Sequence, residues 1–494
     1  MPTPLVKASD YGATSHSAVD FDLKDESLLL NNLSFNTDSG ESETHELRTA
    51  PIFTREAYLE ANLGKNVLQY GVLGTIMSIR SPSGAQSPPT DRRLYVNTNA
   101  PFSAVVCGVQ GSGKSHTVSV LLESMFIPNC PATGELKKPL SGLVLHFGET
   151  GSSSRPCEVA FLGASQYRGV QPPDIRVYVS PSSLNRMTAL YAPLGKRVQV
   201  EPLYLSESEL DASAFLSMMA IGSSEAAPLY IQTVKAILRT LGEKYTYTKF
   251  LNILETKKKT FNPAQLSGIQ QRLDLLMSFT SPNIPKTASK SRFCEGRITI
   301  IDLSDPFIDS SSACGLFEIL LRLFERADVS TGKVLVVDEA HKYLSESRAA
   351  SGLTKALLTL IRQQRHMAMR VVLSTQEPTI IPPVFIELSS LAIMHRFSSS
   401  AWWNHLAKHV SADLSGHDTF DQIVKLKTGE AIVLAPSGLA ILEENNPSTG
   451  ASNGTKRRLG QLGRRSLLIK TRKRVTKDGG MSILTVDGTY GFDT

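Results

Sequence analysis

Eight consecutive residues, Gly108-Val109-Gln110-Gly111-Ser112-Gly113-Lys114-Ser115, have the types and spacing of a loop that wraps phosphate. A triphosphate is held closely only by backbone N–H groups with no side chains in the way, which is why glycine recurs. Lys114 is then expected to reach the β and γ phosphates and the Ser115 hydroxyl to hold Mg2+. The cofactors this chemistry calls for are ATP and Mg2+. Gly108, Gly111, Ser112, Gly113, Lys114, Ser115 and the following His116 are the candidate nucleotide-binding residues.

A second group of chemical residues sits at Val334-Leu335-Val336-Val337-Asp338-Glu339. Four apolar residues carry a strand through a core, and two carboxylates emerge at its C-terminal end, where ligands sit in open α/β sheets. Asp338 is expected to hold Mg2+ through water opposite Ser115, and Glu339 to polarise an attacking water. Acids at a strand end also cap helices, so the pair draws its meaning from the phosphate loop. Val371-Val372-Leu373-Ser374-Thr375-Gln376 is a third apolar strand with a polar tip. If this strand lies between the other two, Gln376 faces the γ phosphate; otherwise it satisfies loop backbone. Arg362 and Arg365 close a helix beginning near Leu353, and either could stabilise charge on a transferring phosphoryl group or simply pair with the helix dipole.

These residues need a frame. Ala104-Val105-Val106-Cys107 reads as a buried strand before the loop, and Val118, Leu121, Leu122 and Met125 recur at helical spacing after it. The loop therefore opens onto a helix N-terminus, where the dipole favours anions. Leu143-Val144-Leu145-His146-Phe147, Arg176-Val177-Tyr178-Val179, Ile298 to Leu303 and Ala431 to Leu434 are further strands. Continuous apolar runs separated by helices argue for a mainly parallel sheet covered on both faces. Val67 to Ile79 suggests a strand pair, followed by a loop at 81–89 and a strand at 94–96. Ser206 with Glu209 forms a capping box, and helical periodicity continues past 264.

At 494 residues and 41% hydrophobic, the chain can bury a large core of two to four domain-sized units. Its formal charge of +6 is mildly basic, but the distribution is uneven. Residues 1–50 hold nine acids against three Lys/Arg, whereas Lys456 to Lys477 holds ten Lys/Arg and no acid. That basic run could contact nucleic-acid phosphates, serve as a targeting signal or solvated arm, or dock onto an adjacent subunit, with a strand expected at 482–486. Five scattered cysteines without a CxxC pair read as reduced thiols rather than a zinc site. With no apolar run of 18 residues and no secretory pattern at Met1, no membrane span is expected, and an intracellular, soluble protein, cytoplasmic or nuclear, is.

Taken in order, GVQGSGKS, ITIIDLS, VLVVDEAHKYL, LIRQQRH, VVLSTQEP and MHRFSS resemble the HerA/FtsK superfamily of P-loop ATPases, particularly its HerA-like branch, over roughly residues 100–150 and 290–440. The resemblance implies a RecA-like P-loop NTPase core of α/β class with a central mainly parallel sheet, interrupted by a helical insertion. It implies Walker A and Walker B motifs, ATP hydrolysis, a homo-oligomer in the form of a hexameric ring, and movement of DNA. Lys114 and Ser115 match the phosphate-loop positions, Asp338 and Glu339 the metal-binding and catalytic acids, and Gln376 the sensor glutamine. Arg365 matches the arginine finger given to a neighbour's ATP, which favours it over Arg362. The acidic start does not match the β-barrel found ahead of the ATPase in prokaryotic HerA proteins, and shortened relatives of this kind can act on substrates other than DNA.

The expected organisation is a disordered acidic tail at 1–50 that adds nothing to the core, and the first half of the ATPase core at 51–150. An insertion follows at 151–289, largely helical after 205, then the second half of the core at 290–445 and a basic tail at 446–494. Two rivals stand beside the motor. Asp338-Glu339-Ala340-His341 spells the box of DEAH helicases, but no second RecA-like domain has room to follow, which leaves His341 a helix-start residue. A nucleotide-dependent switch with little turnover is the other, opposed by the intact Lys114, Asp338 and Glu339.

Overall fold

The computed structural model describes residues 40–65, 67–148, 154–165, 167–219, 229–280, 292–344, 352–410, 417–444 and 456–480. Residues up to Arg48 form one unit, whose described part lies in the helix Gly40–Thr49, and the chain from Thr49 onward forms a second. The expected strand at 482–486 and residues 1–39 of the expected acidic tail lie outside the described residues.

The second unit is built on one sheet. In spatial order, eight parallel strands run Val198–Pro202, Asp174–Val179, Arg297–Asp302, Ser141–His146, Lys333–Val337, Met369–Thr375, Ser103–Cys107 and Leu391–Met394. Antiparallel strands then extend it through Glu430–Leu434, Ser466–Thr471, Tyr70–Arg80, Arg93–Val96 and Ile52–Thr54. The strand ending at Gln376 therefore lies between the acidic strand and the phosphate-loop strand, the order the glutamine's role requires.

Side chains alternate across the sheet with a period of two, so each strand feeds two cores. Val105, Leu143, Leu335 and Leu373 enter one apolar cluster, and Val106, Val144, Val336 and Val372 the other. The helix Lys114–Phe126 covers the second face with Val118, Leu121, Leu122 and Met125. Helices Ser310–Arg326 and Gly352–Gln363 cover the first, joined by Ala212–Met219, Leu229–Leu241, Tyr247–Lys258 and Pro263–Ser278. Burial on both faces is what permits uninterrupted apolar strands.

Several expectations are corrected. Tyr70–Arg80 is one long strand, with an irregularity between Val72 and Gly74, in place of a strand pair. The core begins at Ala50 and Ile52, both fully covered, so the boundary with the acidic tail falls before 50. Residues 174–202 contribute two strands to the main sheet, and the helical insertion proper occupies the stretch after Ser206. The basic stretch is no free tail: Lys456–Gln461 pairs with Leu439–Glu444, and Ser466–Thr471 with Glu430–Leu434 and Tyr70–Arg80.

Candidate nucleotide site

Parallel strands deliver their C-terminal tips to one rim. The Ser103–Cys107 strand leads into the glycine loop, which its neighbours fix: Val109 N donates to Arg396 O at 3.0 Å, and Gly429 N donates to Ser112 O at 3.0 Å. Gly108 and Gly113 are obligatory here. A Cβ at Gly108 would lie 2.7 Å from the His395 Cβ, and one at Gly113 would lie 2.9 Å from Gly429 N, both in left-handed backbone with φ +148° and +113°. Ser112 Oγ donates to Val109 O at 2.6 Å, and Lys114 Nζ to the same carbonyl at 3.0 Å. Burial lowers Lys114 below the ordinary lysine pKa, with the Glu339 and Asp338 carboxylates pulling it back.

At the next tips, His146 ends its strand with Nδ1 2.9 Å from Asp338 Oδ2. Burial works against the ionised carboxylate, but the hydrogen bond and charge of His146 outweigh it and hold Asp338 below the usual range. The Tyr343 hydroxyl donates to Asp338 O at 2.8 Å and shares that proton with Leu145 O at 3.1 Å. His146 thus fixes one carboxylate oxygen of Asp338, and Tyr343 fixes its backbone carbonyl.

Glu339 occupies the left-handed region, with φ +49°, and turns the chain out of the strand into the tight helical turn Ala340–Lys342. Its Oε1 accepts from Gln376 Nε2 at 2.7 Å. Oε2 makes no hydrogen bond; His341 Nε2 stands 3.4 Å away, within ion-pair range. His341 Nδ1 in turn accepts from Gln376 N at 3.4 Å. Burial pushes the His341 imidazole below its ordinary pKa against the pull of Glu339. More than a helix-start residue, His341 ties Glu339 to Gln376.

The C-terminal segment after Thr471 lies along the loop's helix. Arg472 Nη1 reaches Glu123 Oε2 at 2.6 Å, and Glu123 Oε1 accepts from Val475 N, Thr476 N and Thr476 Oγ1 at 2.9, 2.9 and 2.7 Å. Arg474 Nη1 pairs with Glu158 at 2.6 Å. His116 Nε2 stands 2.8 Å from Arg472 O, so the ring that was expected to hold nucleotide also anchors this strap. Together the loop, Glu339, Gln376 and the strap line a cavity of about 470 Å³.

The residues fit a magnesium-bound triphosphate: a cradle that side chains would fill, a buried lysine, a serine hydroxyl, an oriented aspartate and a glutamate oxygen without a hydrogen bond. Arg365 is not brought to them. It is exposed beyond the helix Gly352–Gln363 and ahead of the Met369–Thr375 strand, at the opposite rim, roughly 20 Å away. Sequence reasoning missed His146 and the strap; a histidine at the tip of a buried parallel strand was the available sign of the first.

Sheet order and loop together define a P-loop nucleotide-binding fold of RecA-like type. Several solved structures are similar to the chain at low identity. They include VirB4 of Thermoanaerobacter pseudethanolicus, at 12% identity over 82% of this chain and 96% of that one, with a TM-score of 0.44. The bacterial conjugative coupling protein TrwBdeltaN70 matches at 11% over 67% and 81%, TM-score 0.40. B204, the DNA-packaging ATPase from Sulfolobus Turreted Icosahedral Virus, matches at 11% over 68% and 92%, TM-score 0.31. No protein-family profile matches the chain, and no curated protein does. Among the described residues no helix is long and apolar enough to cross a membrane.

Proposed function

We propose that this chain binds and hydrolyses ATP with Mg2+, and works as a ring-forming motor of HerA/FtsK type on DNA. The observation that carries the hydrolytic reading is the convergence of Lys114 with Glu339 and Gln376 in one cavity, beside Asp338. Bound Mg2+ would supply charge neutralisation at the phosphates, with Ser115 and Asp338 as its protein ligands. Lys114 would exchange the Val109 carbonyl for phosphate oxygens. Glu339, kept in place by Gln376, would orient a water and accept its proton. Gln376, bonded to the catalytic carboxylate at a strand tip, would register the loss of the γ phosphate.

The ring reading rests on the motif string and on Arg365. An exposed arginine at the far rim cannot reach its own chain's site but can serve a neighbour's. Mixing Arg365→Ala with Lys114→Ala subunits tests this: activity regained in mixtures supports donation between subunits. No recovery at any ratio, with each variant still assembling, removes it.

A second reading, a motor or switch on a substrate other than DNA, is favoured by one observation: Arg472 and Arg474 of the basic run are spent on Glu123 and Glu158. ATPase rate with and without double-stranded DNA across salt concentrations decides between them. Stimulation that fades with salt supports the DNA motor; indifference to DNA supports the second reading.

A further inference from the structure

Beside the nucleotide site lies a second constellation, which shares Asp338 with it and adds a cysteine that ATP chemistry does not use. A nitrogen of His146, the Cys157 sulfur and a carboxylate oxygen of Asp338 all lie within 4.8 Å of one another, and no other such group of three occurs among the described residues. Cys157 is fully buried and His146 nearly so. Imidazole, thiolate and carboxylate together are a donor set suited to borderline-soft divalent ions, whereas Mg2+ and Ca2+ take oxygen ligands alone.

The surroundings are organised as an outer shell. The Cys157 backbone N–H donates to the Tyr191 hydroxyl at 2.9 Å, and that hydroxyl donates to Asp302 Oδ2 at 2.6 Å. Asp302 Oδ1 accepts from Ser304 N at 3.0 Å, and Ser304 Oγ accepts from Gly148 N at 2.7 Å. These bonds hold the chain on both sides of the cluster, the support that lets first-shell ligands keep their positions. Tetrahedral zinc ligands stand about 3.3–3.6 Å apart. Closing the cluster on an ion therefore needs shifts on the order of 1 Å, within the reach of side-chain torsions.

We infer that His146, Cys157 and Asp338 form a site for a thiophilic divalent ion, of the zinc or cobalt class, which shares Asp338 with the nucleotide site. Three protein ligands leave one position open for water. Binding replaces the Cys157 S–H bond with a metal–sulfur bond and an N–H bond of the charged His146 ring with a metal–nitrogen bond, and releases both protons to solvent. An ion held there draws on the carboxylate that the proposed ATPase needs for Mg2+, so each occupancy weakens the other. Only this last consequence rests on the ATPase reading.

The test uses the full-length chain and Co2+ as the probe, without nucleotide. A thiolate-to-cobalt charge-transfer band in the near ultraviolet is expected in the wild type, in Cys130→Ser and in Cys294→Ser, and is expected to vanish in Cys157→Ser. A band that survives in Cys157→Ser, or no band in the folded wild type, overturns the assignment. Should Cys157→Ser fail to fold, zinc X-ray absorption on the wild type decides: one sulfur among nitrogen and oxygen ligands supports the site, and a sulfur-free shell refutes it. In the coupled arm, Zn2+ inhibits Mg2+-dependent turnover, and the half-inhibiting concentration rises more than about tenfold in Cys157→Ser, at least the loss typical of an outer-shell defect. If turnover is absent altogether, the function proposed above fails while the cobalt band stands or falls separately.

Discussion

Gln376 Nε2 donates to Glu339 Oε1 at 2.7 Å, joining the tips of two neighbouring parallel strands. Glu339 leaves its strand in left-handed backbone, so nothing in the strand itself aims its carboxylate, and the glutamine amide supplies the aim. Gln376→Ala should leave nucleotide affinity intact and lower turnover by up to about a hundredfold, as misplacement of a catalytic group does. Steady-state rates with parallel binding titrations check this. A loss confined to affinity would make Gln376 a ligand contact instead.

Glu123 is fully buried and takes four donors from the C-terminal strap: Arg472, Val475 N, and both the N–H and hydroxyl of Thr476. Removing the carboxylate takes the countercharge from Arg472, whose guanidinium keeps its bonds to Val72 O and Lys473 O, and strands three further donors. Glu123→Ala should lower stability by about 3–5 kcal/mol, read from urea or guanidinium unfolding. Stability within about 0.5 kcal/mol of the wild type would show that the strap is not held this way.

The division between what the sequence disclosed and what it hid follows from the range of the interactions. The phosphate loop, Asp338, Glu339 and Gln376 were legible because each stands at the end of a local apolar run, and a strand tip in a parallel sheet is a ligand position wherever the fold places it. The strap was illegible because its decisive partner, Glu123, lies 349 positions before Arg472. A run of arginines carries no mark that distinguishes a free arm from a buried ion pair. His146 and Cys157 were hidden for the same reason, since Asp338 lies 192 positions beyond His146 and Cys157 sits in a segment with no periodic pattern. The Ser466–Thr471 strand was missed among basic residues because its pairing with Tyr70–Arg80 joins nearly opposite ends of the chain.

His395 gives a pH dependence of defined sign. Its Nδ1–H donates to Glu430 O at 2.9 Å, and Nε2 accepts from Thr117 Oγ1 at 3.0 Å, so the neutral ring is satisfied. Burial pushes its pKa from 6.5 down to about 4. The unfolded chain therefore binds a proton below pH 6.5 that the folded chain refuses until about pH 4. The contribution is fully present above pH 6.5 and is lost as pH falls to about 4, a drop of about 3 kcal/mol at most. Unfolding measured across that window should slope accordingly, and His395→Gln should flatten the slope. An unchanged slope in the variant would assign the dependence to other groups.

Under the proposed function, Glu339 performs the hydrolytic step at the site formed with Lys114 and Gln376. The most direct measurement is the ATP hydrolysis rate of Glu339→Gln, taken with Mg2+ on samples whose nucleotide affinity is measured in parallel. Turnover should fall by about 10²–10⁴-fold, the contribution of a positioned general base, while binding persists. Hydrolysis at the wild-type rate with intact binding would contradict it.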